Sequence, residues 1–121
     1  MKHLLLVEDN PSTLSGLMEL LSDEGYQVNG VMHGTDALKI AATTPVDMVL
    51  CDYNLPDLNG LQVCQRLRKL KPEAVLFLTS ASNLANLFDI ARKSGVAKIF
   101  PKPIDLDDLF EALLGYTAKA A

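Results

Sequence analysis

Short unbroken apolar runs alternate along this chain with longer stretches in which apolar residues recur every three or four positions. The runs fall at about 3–7, 26–31, 46–51, 74–79 and 97–101. Leu4-Leu5-Leu6-Val7, Met48-Val49-Leu50-Cys51 and Ala74-Val75-Leu76-Phe77-Leu78 are the clearest. Strands covered on both faces read this way, because each face meets apolar neighbours. Between the runs, Leu14, Leu17, Met18 and Leu21 repeat as i, i+3, i+4, i+7, which lines one face of a helix. Leu84, Leu87, Phe88 and Ala91 do the same, as do Leu106, Leu109, Phe110 and Leu113. Ala37, Leu38, Ala41 and Ala42 give a smaller face, and Val63, Leu67 and Leu70 another.

The punctuation agrees with this division. Asn10 precedes Pro11, a capping residue before a proline suited to a first helical turn. Gly25 and Gly95 follow helical stripes, where a glycine just past the helix end is favoured. Asp105 is placed to cap the last helix. Strict strand–helix alternation predicts an α/β fold: a doubly wound five-stranded parallel sheet, helices on both faces, right-handed crossovers. No linker, repeat or low-complexity segment interrupts it, so one domain is expected over residues 1–121.

Ligands of such sheets bind beyond the carboxyl ends of the strands. That rule gathers residues far apart in sequence. Glu8 and Asp9 follow the first run, Asp52 the third, Thr79 and Ser80 end the fourth, and Lys102 follows the fifth. Three carboxylates in one small volume repel each other unless a cation joins them. An all-oxygen donor set suits Mg2+, and no Cys or His belongs to the cluster to favour zinc. Asp52 is the candidate nucleophile, since a carboxylate can attack phosphorus and form an aspartyl phosphate. Phosphoryl transfer then asks mainly for positioning and charge neutralisation, which Mg2+, the Lys102 ammonium and a hydroxyl provide. Thr79 is preferred over Ser80 as that hydroxyl, because it follows directly from the apolar run. Pro101-Lys102-Pro103 restricts the backbone around the lysine, and a cis Lys102-Pro103 bond would aim its ammonium into the site. His3 lies inside the first strand and His33 in a loop, away from the cluster.

Composition narrows the partners. With 11 basic and 15 acidic residues the formal charge is −4, which gives no reason to expect nucleic-acid or anionic-membrane binding. No apolar stretch approaches the ~18 residues of a membrane span. A secretory signal is not expected, since it would need a longer apolar region than the one Met1-Lys2-His3 opens on, and a small-residue cleavage site. Cys51 and Cys64 sit in apolar surroundings and read as buried, reduced thiols of a cytoplasmic protein.

At this point the residues match a family. The chain closely resembles the receiver domain of bacterial two-component response regulators. The resemblance rests on Leu5-Leu6-Val7-Glu8-Asp9, on the stretch Asp47–Gly60 around Asp52, on Leu78-Thr79-Ser80-Ala81, and on Lys102-Pro103, in that order. It covers nearly the whole chain. It implies a flavodoxin-like (βα)5 fold with strand order 2-1-3-4-5, an order that the residue pattern alone does not supply. It implies Asp52 as phosphoacceptor and Asp9 as direct Mg2+ ligand, with Glu8 acting through water and the Asn54 carbonyl as third protein ligand. Thr79 becomes the switch hydroxyl and Lys102 the ion-pair partner. The donor would be a phosphohistidine on a sensor histidine kinase or histidine phosphotransfer protein. The changing surface would be the fourth helix, fifth strand and fifth helix, which would meet an output partner or a second copy as a homodimer.

Two positions depart from the family pattern. Ile99 stands three residues before the lysine, where Tyr or Phe is usual as a rotating switch, while Phe100 points to the opposite face. Ala81 stands two past Thr79, where many relatives carry a larger or polar residue. Two other readings compete. A phosphatase of the haloacid dehalogenase type needs a second Asp two residues after the nucleophile, and here that residue is Asn54. A receiver-like module that is never phosphorylated would not need Glu8, Asp9, Asp52, Thr79 and Lys102 all intact. The reading is of a phosphoacceptor rather than an enzyme acting on a separate substrate.

Overall fold

A computed structural model describes residues 2–81 and 85–120 of the chain. The elements alternate as β1 (His3–Val7), α1 (Pro11–Asp23), β2 (Gln27–Val31), α2 (Gly34–Thr43), β3 (Met48–Asp52), α3 (Gly60–Leu70), β4 (Val75–Ser80), α4 (Ala85–Lys93), β5 (Val96–Pro101) and α5 (Leu106–Ala120). All strand pairings are parallel, in the order β2-β1-β3-β4-β5. Leu84 of the expected fourth helical stripe, and Ala121 of the tail, lie outside the described residues.

The caps form as the sequence indicates. Asn10 accepts from the Thr13 N–H at 3.1 Å, and Pro11 opens α1. Asp105 accepts from the Asp108 N–H at 3.1 Å. Gly25 and Gly95 take φ of 96° and 89°, the left-handed conformation that ends α1 and α4. Asn59 and Gln62 form a reciprocal capping box on α3.

The sheet separates two apolar layers. On one face Leu4, Leu6, Met48, Leu50, Phe77 and Phe100 pack against Leu17 and Leu21 of α1 and Leu109 and Leu113 of α5. On the other, Leu5, Val7, Val49, Cys51 and Leu78 pack against Ala37 and Ala41 of α2, Val63, Cys64 and Leu67 of α3, and Ala91 of α4. Alternation along each strand sends successive side chains to opposite layers, so both must be apolar. Phe77 and Phe100 are fully buried with ring centroids 5.7 Å apart. Each contributes about 1.5–3 kcal/mol by burial. Both thiols are free and buried; Cys64 beside it, together with burial, pushes the Cys51 thiol well above its ordinary value. Such a thiol stays protonated and packs as a small apolar side chain.

Strand limits differ from the sequence reading by one or two residues. β3 begins at Met48 rather than 46, because Asp47 is engaged by β1: its carboxylate accepts the His3 N–H at 2.8 Å and its own N–H donates to the His3 carbonyl. β3 and β4 each extend one residue further, so Asp52 and Ser80 are the last residues of their strands. In β5 the pairing slips between Leu76 and Phe77, leaving Ala97 as an extra residue. The slip lets Val96 and Ile99 both reach the α4 side while Phe100 reaches the α5 side.

Candidate functional site

The carboxyl ends of β1, β3, β4 and β5 meet at one edge, as the sequence indicates. Asp52 ends β3 opposite Thr79 of β4. Side-chain alternation puts Asp52 and Thr79 on the α1/α5 face of the sheet and Ser80 on the other. Ser80 contributes instead through its carbonyl, which accepts the Lys102 N–H at 2.9 Å. The Lys102-Pro103 peptide is cis.

The Lys102 ammonium joins two strand ends. Its Nζ lies 2.8 Å from Glu8 Oε1 and 2.8 Å from Asp52 Oδ2. Glu8 and Asp52 are 3% and 4% exposed, so neither carboxylate is solvated by bulk water. The second Glu8 oxygen accepts the Asn10 N–H at 3.1 Å, and the second Asp52 oxygen accepts the Asn54 N–H at 3.2 Å. Burial works to raise the Glu8 carboxyl, but Lys102 and the Asn10 N–H outweigh it and hold the group below its ordinary value. For Asp52 burial prevails over Lys102 and the Asn54 N–H, and Glu8 adds repulsion, so this carboxyl lies above its ordinary value. Burial acts to lower Lys102, yet the two carboxylates reverse it, and its value is raised.

Asp9 is exposed. Its carboxyl is raised by partial desolvation and by the neighbouring Glu8. One oxygen from each of Glu8, Asp9 and Asp52 lies within 4.8 Å of the others. Two of the three carboxyls are thus less acidic than usual, chiefly through desolvation, with repulsion from Glu8 added. The donors are all hard oxygens, so the residues fit a cation such as Mg2+. Glu8 has both oxygens committed to protein donors, whereas Asp9 is open to solvent.

The segment 53–59 arches from β3 to α3. The Tyr53 N–H donates to the Thr79 carbonyl at 2.8 Å, and the Gly60 N–H to the Tyr53 carbonyl at 2.7 Å. A Cβ at Gly60 would collide with the Asp52 carbonyl oxygen and stand 2.8 Å from Tyr53 Cα. Only glycine allows α3 to start this close to the acidic strand end. Asp57, further along the arch, accepts the N–H groups of Gly34, Thr35 and Leu58, each at 2.9 Å. The Thr35 N–H, with those of Gly34 and Leu58, holds its carboxyl well below the usual carboxylate range. Sequence reasoning assigned no role to Gly60 or Asp57; an Asp in a Pro- and Asn-rich loop signals a turn, not partners more than 20 residues upstream.

Ile99 is half-buried and packs against the layer of α2, α3 and α4. It borders a cavity of about 260 Å³ lined by Phe88, Ala91, Arg92, Val96, Ala97 and Lys98. His33 precedes α2 and lies 3.6 Å from Asp36, and His3 sits in β1, so neither histidine joins the acidic edge.

The family model of the response regulator receiver domain matches residues 4–114. The chain is 32% identical over 112 residues to the transcriptional regulatory protein GlrR of Escherichia coli K12, covering 92% of this chain and 25% of that protein. It is 31% identical over 116 residues to the sensor histidine kinase RcsC of Salmonella typhi, covering 96% of this chain and 12% of that one. The chain thus spans a minor part of the curated relatives it matches. Among solved structures, the response regulator TrrA of Thermotoga maritima, in complex with Mg2+ and BeF, superposes with a TM-score of 0.86 at 29% identity, over 96% of this chain and 99% of that one. The acidic edge, the strand order and these matches agree: the chain belongs to the response regulator receiver domains, the signalling modules of two-component systems.

Proposed function

We propose that Asp52 receives a phosphoryl group from a phosphohistidine on a sensor histidine kinase or histidine phosphotransfer protein. One observation carries this reading. Asp52 is a buried carboxylate at a strand end, 2.8 Å from a lysine ammonium and within one carboxylate cluster with Glu8 and Asp9. In the transfer, an Asp52 oxygen attacks phosphorus, the phosphorus–nitrogen bond breaks, and the imidazole leaves with its electron pair, later protonated by solvent. The Lys102 ammonium, 2.8 Å from Asp52 Oδ2, favours the ionised, nucleophilic form of the carboxylate. Lys102 neutralises charge on the phosphoryl oxygens, and the Asn54 N–H keeps Asp52 oriented. Asp9 and Asp52, with the Asn54 carbonyl and with Glu8 behind them, would hold Mg2+, which supplies further charge neutralisation when bound. Thr79, opposite Asp52 in the sheet, would be the hydroxyl that meets the phosphoryl group.

The reading extends to output. Once phosphorylated, the domain favours one of two pre-existing arrangements of the Thr79 end of β4 and the α4–β5–α5 surface. That surface carries Phe88, Ile90 and Leu114, at 53%, 48% and 62% exposure, beside Arg92 and Lys93. It suits an output partner or a second copy of the chain. Lys98 is less available, because it pairs with Asp108 of α5 at 2.9 Å and lies over the Phe100 ring. We place this signalling domain in the cytoplasm. No helix among the described residues is long and apolar enough to cross a membrane.

Incubation with Mg2+ and a small acyl phosphate or phosphoramidate, followed by intact mass, tests the reading. The wild-type chain is expected to gain one phosphoryl group and folded Asp52→Asn none. Equal modification of both would overturn the assignment.

A further inference from the structure

We propose that Asp57 is a positioning residue for the phosphoacceptor arch, anchoring it to α2 so that Asn54 is held against Asp52. This rests on the reading of Asp52 as phosphoacceptor and of the Asn54 carbonyl as a metal ligand. The arch 53–59 is tied at its ends, by Tyr53 to β4 and by Gly60 to Tyr53. Between those ends the Asn54 N–H donates to Asp52 Oδ1 at 3.2 Å, and on the proposed reading the Asn54 carbonyl, in the next peptide group, would serve the metal. Asp57 fixes the middle of the arch to a separate element. One of its oxygens accepts from Gly34 and Leu58, the other from Thr35, which joins the arch to the first turn of α2.

The reciprocal side of this contact is equally specific. His33, which precedes α2, makes no side-chain cap, so the first N–H groups of the helix are satisfied from the arch rather than locally. Gly34 lets the two elements close up, since a Cβ there would stand 2.7 Å from Val63 Cγ2 and 3.3 Å from Leu58 Cβ. Leu55 and Leu58, flanking Asp57, pack against the same apolar layer as α2 and α3. The carboxylate therefore does two separable things: it caps α2 and it holds the arch. Groups that orient metal ligands from behind typically change metal affinity by about 10- to 100-fold when removed. The loss here is expected near the lower end, because the ends of the arch stay tied.

The two roles separate in a pair of variants. Asp57→Ala removes both. Asp57→Ala with His33→Ser gives α2 a cap of its own, because residue 33 already has the extended backbone of a capping position. Three readouts are compared with wild type: urea unfolding, amide exchange at Asn54 in metal-free protein, and Mg2+ affinity followed by amide shifts. The expected result is that the double variant recovers stability while its Asn54 amide still exchanges about tenfold faster and Mg2+ binds about tenfold more weakly. Unchanged Asn54 exchange and Mg2+ affinity in Asp57→Ala would overturn the proposal, as would recovery of both on adding His33→Ser. Failure of the wild-type chain to bind Mg2+ would strike the reading of the site instead, and Asn54 exchange would still decide the role of Asp57.

Discussion

Gly60 and Gly16 form a matched pair for testing how closely α3 is drawn to the phosphoacceptor strand. Alanine at residue 60 would drive its Cβ into the Asp52 carbonyl oxygen and place it 2.8 Å from Tyr53 Cα and 2.9 Å from the Asp52 carbonyl carbon. All three are backbone atoms, pinned by the Tyr53–Thr79 and Gly60–Tyr53 hydrogen bonds, so no side chain can swing away. Reaching ordinary carbon–carbon separations of about 3.5–4.0 Å requires a backbone shift of roughly 1 Å. Overpacking of this kind costs about 1–3 kcal/mol, and a glycine-to-alanine gain at the first helical residue recovers little of it. A net loss of about 2 kcal/mol is expected, or a melting temperature lower by about 8 °C for a domain of this size. The same shift moves Asp52 relative to Lys102, so phosphorylation is expected to slow by tenfold or more. Gly16, inside α1, has open space around it, with nothing within 4 Å of where a Cβ would stand, and Gly16→Ala is expected to stabilise by about 0.5–1 kcal/mol. Urea unfolding followed by circular dichroism, with a thermal melt, reads both. The same sign of change in the two variants, or a Gly60→Ala protein as stable and as readily phosphorylated as wild type, would refute the reasoning.

Three further outcomes follow from the site. Lys102→Met leaves the buried Glu8 and Asp52 without their cation; a loss of about 3 kcal/mol is expected in metal-free protein at neutral pH, shrinking as Mg2+ is added, and a loss independent of Mg2+ would count against a shared charge cluster. Asp57 has a lowered carboxyl, so its stabilising effect is complete above the unfolded value near 3.9 and is lost as pH falls from there through the lower folded value. The stability margin of wild type over Asp57→Ala, about 1 kcal/mol at neutral pH from helix capping, is therefore expected to narrow below about pH 4, and urea titrations at pH 7 and pH 3 check it. Ile99→Tyr is expected to fold within about 1 kcal/mol of wild type, because the ring has the neighbouring cavity of about 260 Å³ to enter; a larger loss in urea would show that space to be closed.

The fold was legible where one physical signal dominates. Doubly covered strands leave continuous apolar runs, and α1 and α5 leave clear stripes, so the five-strand alternation and the gathering of Glu8, Asp9, Asp52, Thr79 and Lys102 at one edge could be read directly. Strand order came from the family resemblance, because parallel alternation alone does not say which strand is central. The less visible features depend on partners distant in sequence. Asp47 looks like a strand residue until His3 claims both its carboxylate and its N–H. The slip at Ala97 is set by pairing with β4, which no local pattern records. Nothing near Asp57 in the chain announces that its acceptors face Gly34 and Thr35, and the need for glycine at 60 appears only once the arch has folded back on Asp52. The surface charges were legible in kind but not in pairing: Lys98 belongs to Asp108 within the domain.

On the proposed reading, phosphoryl transfer ends on the Asp52 carboxylate. The most direct test is chemical trapping after reaction with Mg2+ and a small phosphodonor. Borohydride reduces an acyl phosphate to the corresponding alcohol, releasing phosphate and leaving homoserine in place of the aspartate, and peptide mass mapping then locates the residue. Homoserine is expected at position 52, formed only when Mg2+ and phosphodonor are both present. A reduced residue at Asp9 or Asp57, or a borohydride-resistant phosphoryl group on Thr79, Ser80 or His33, would contradict it.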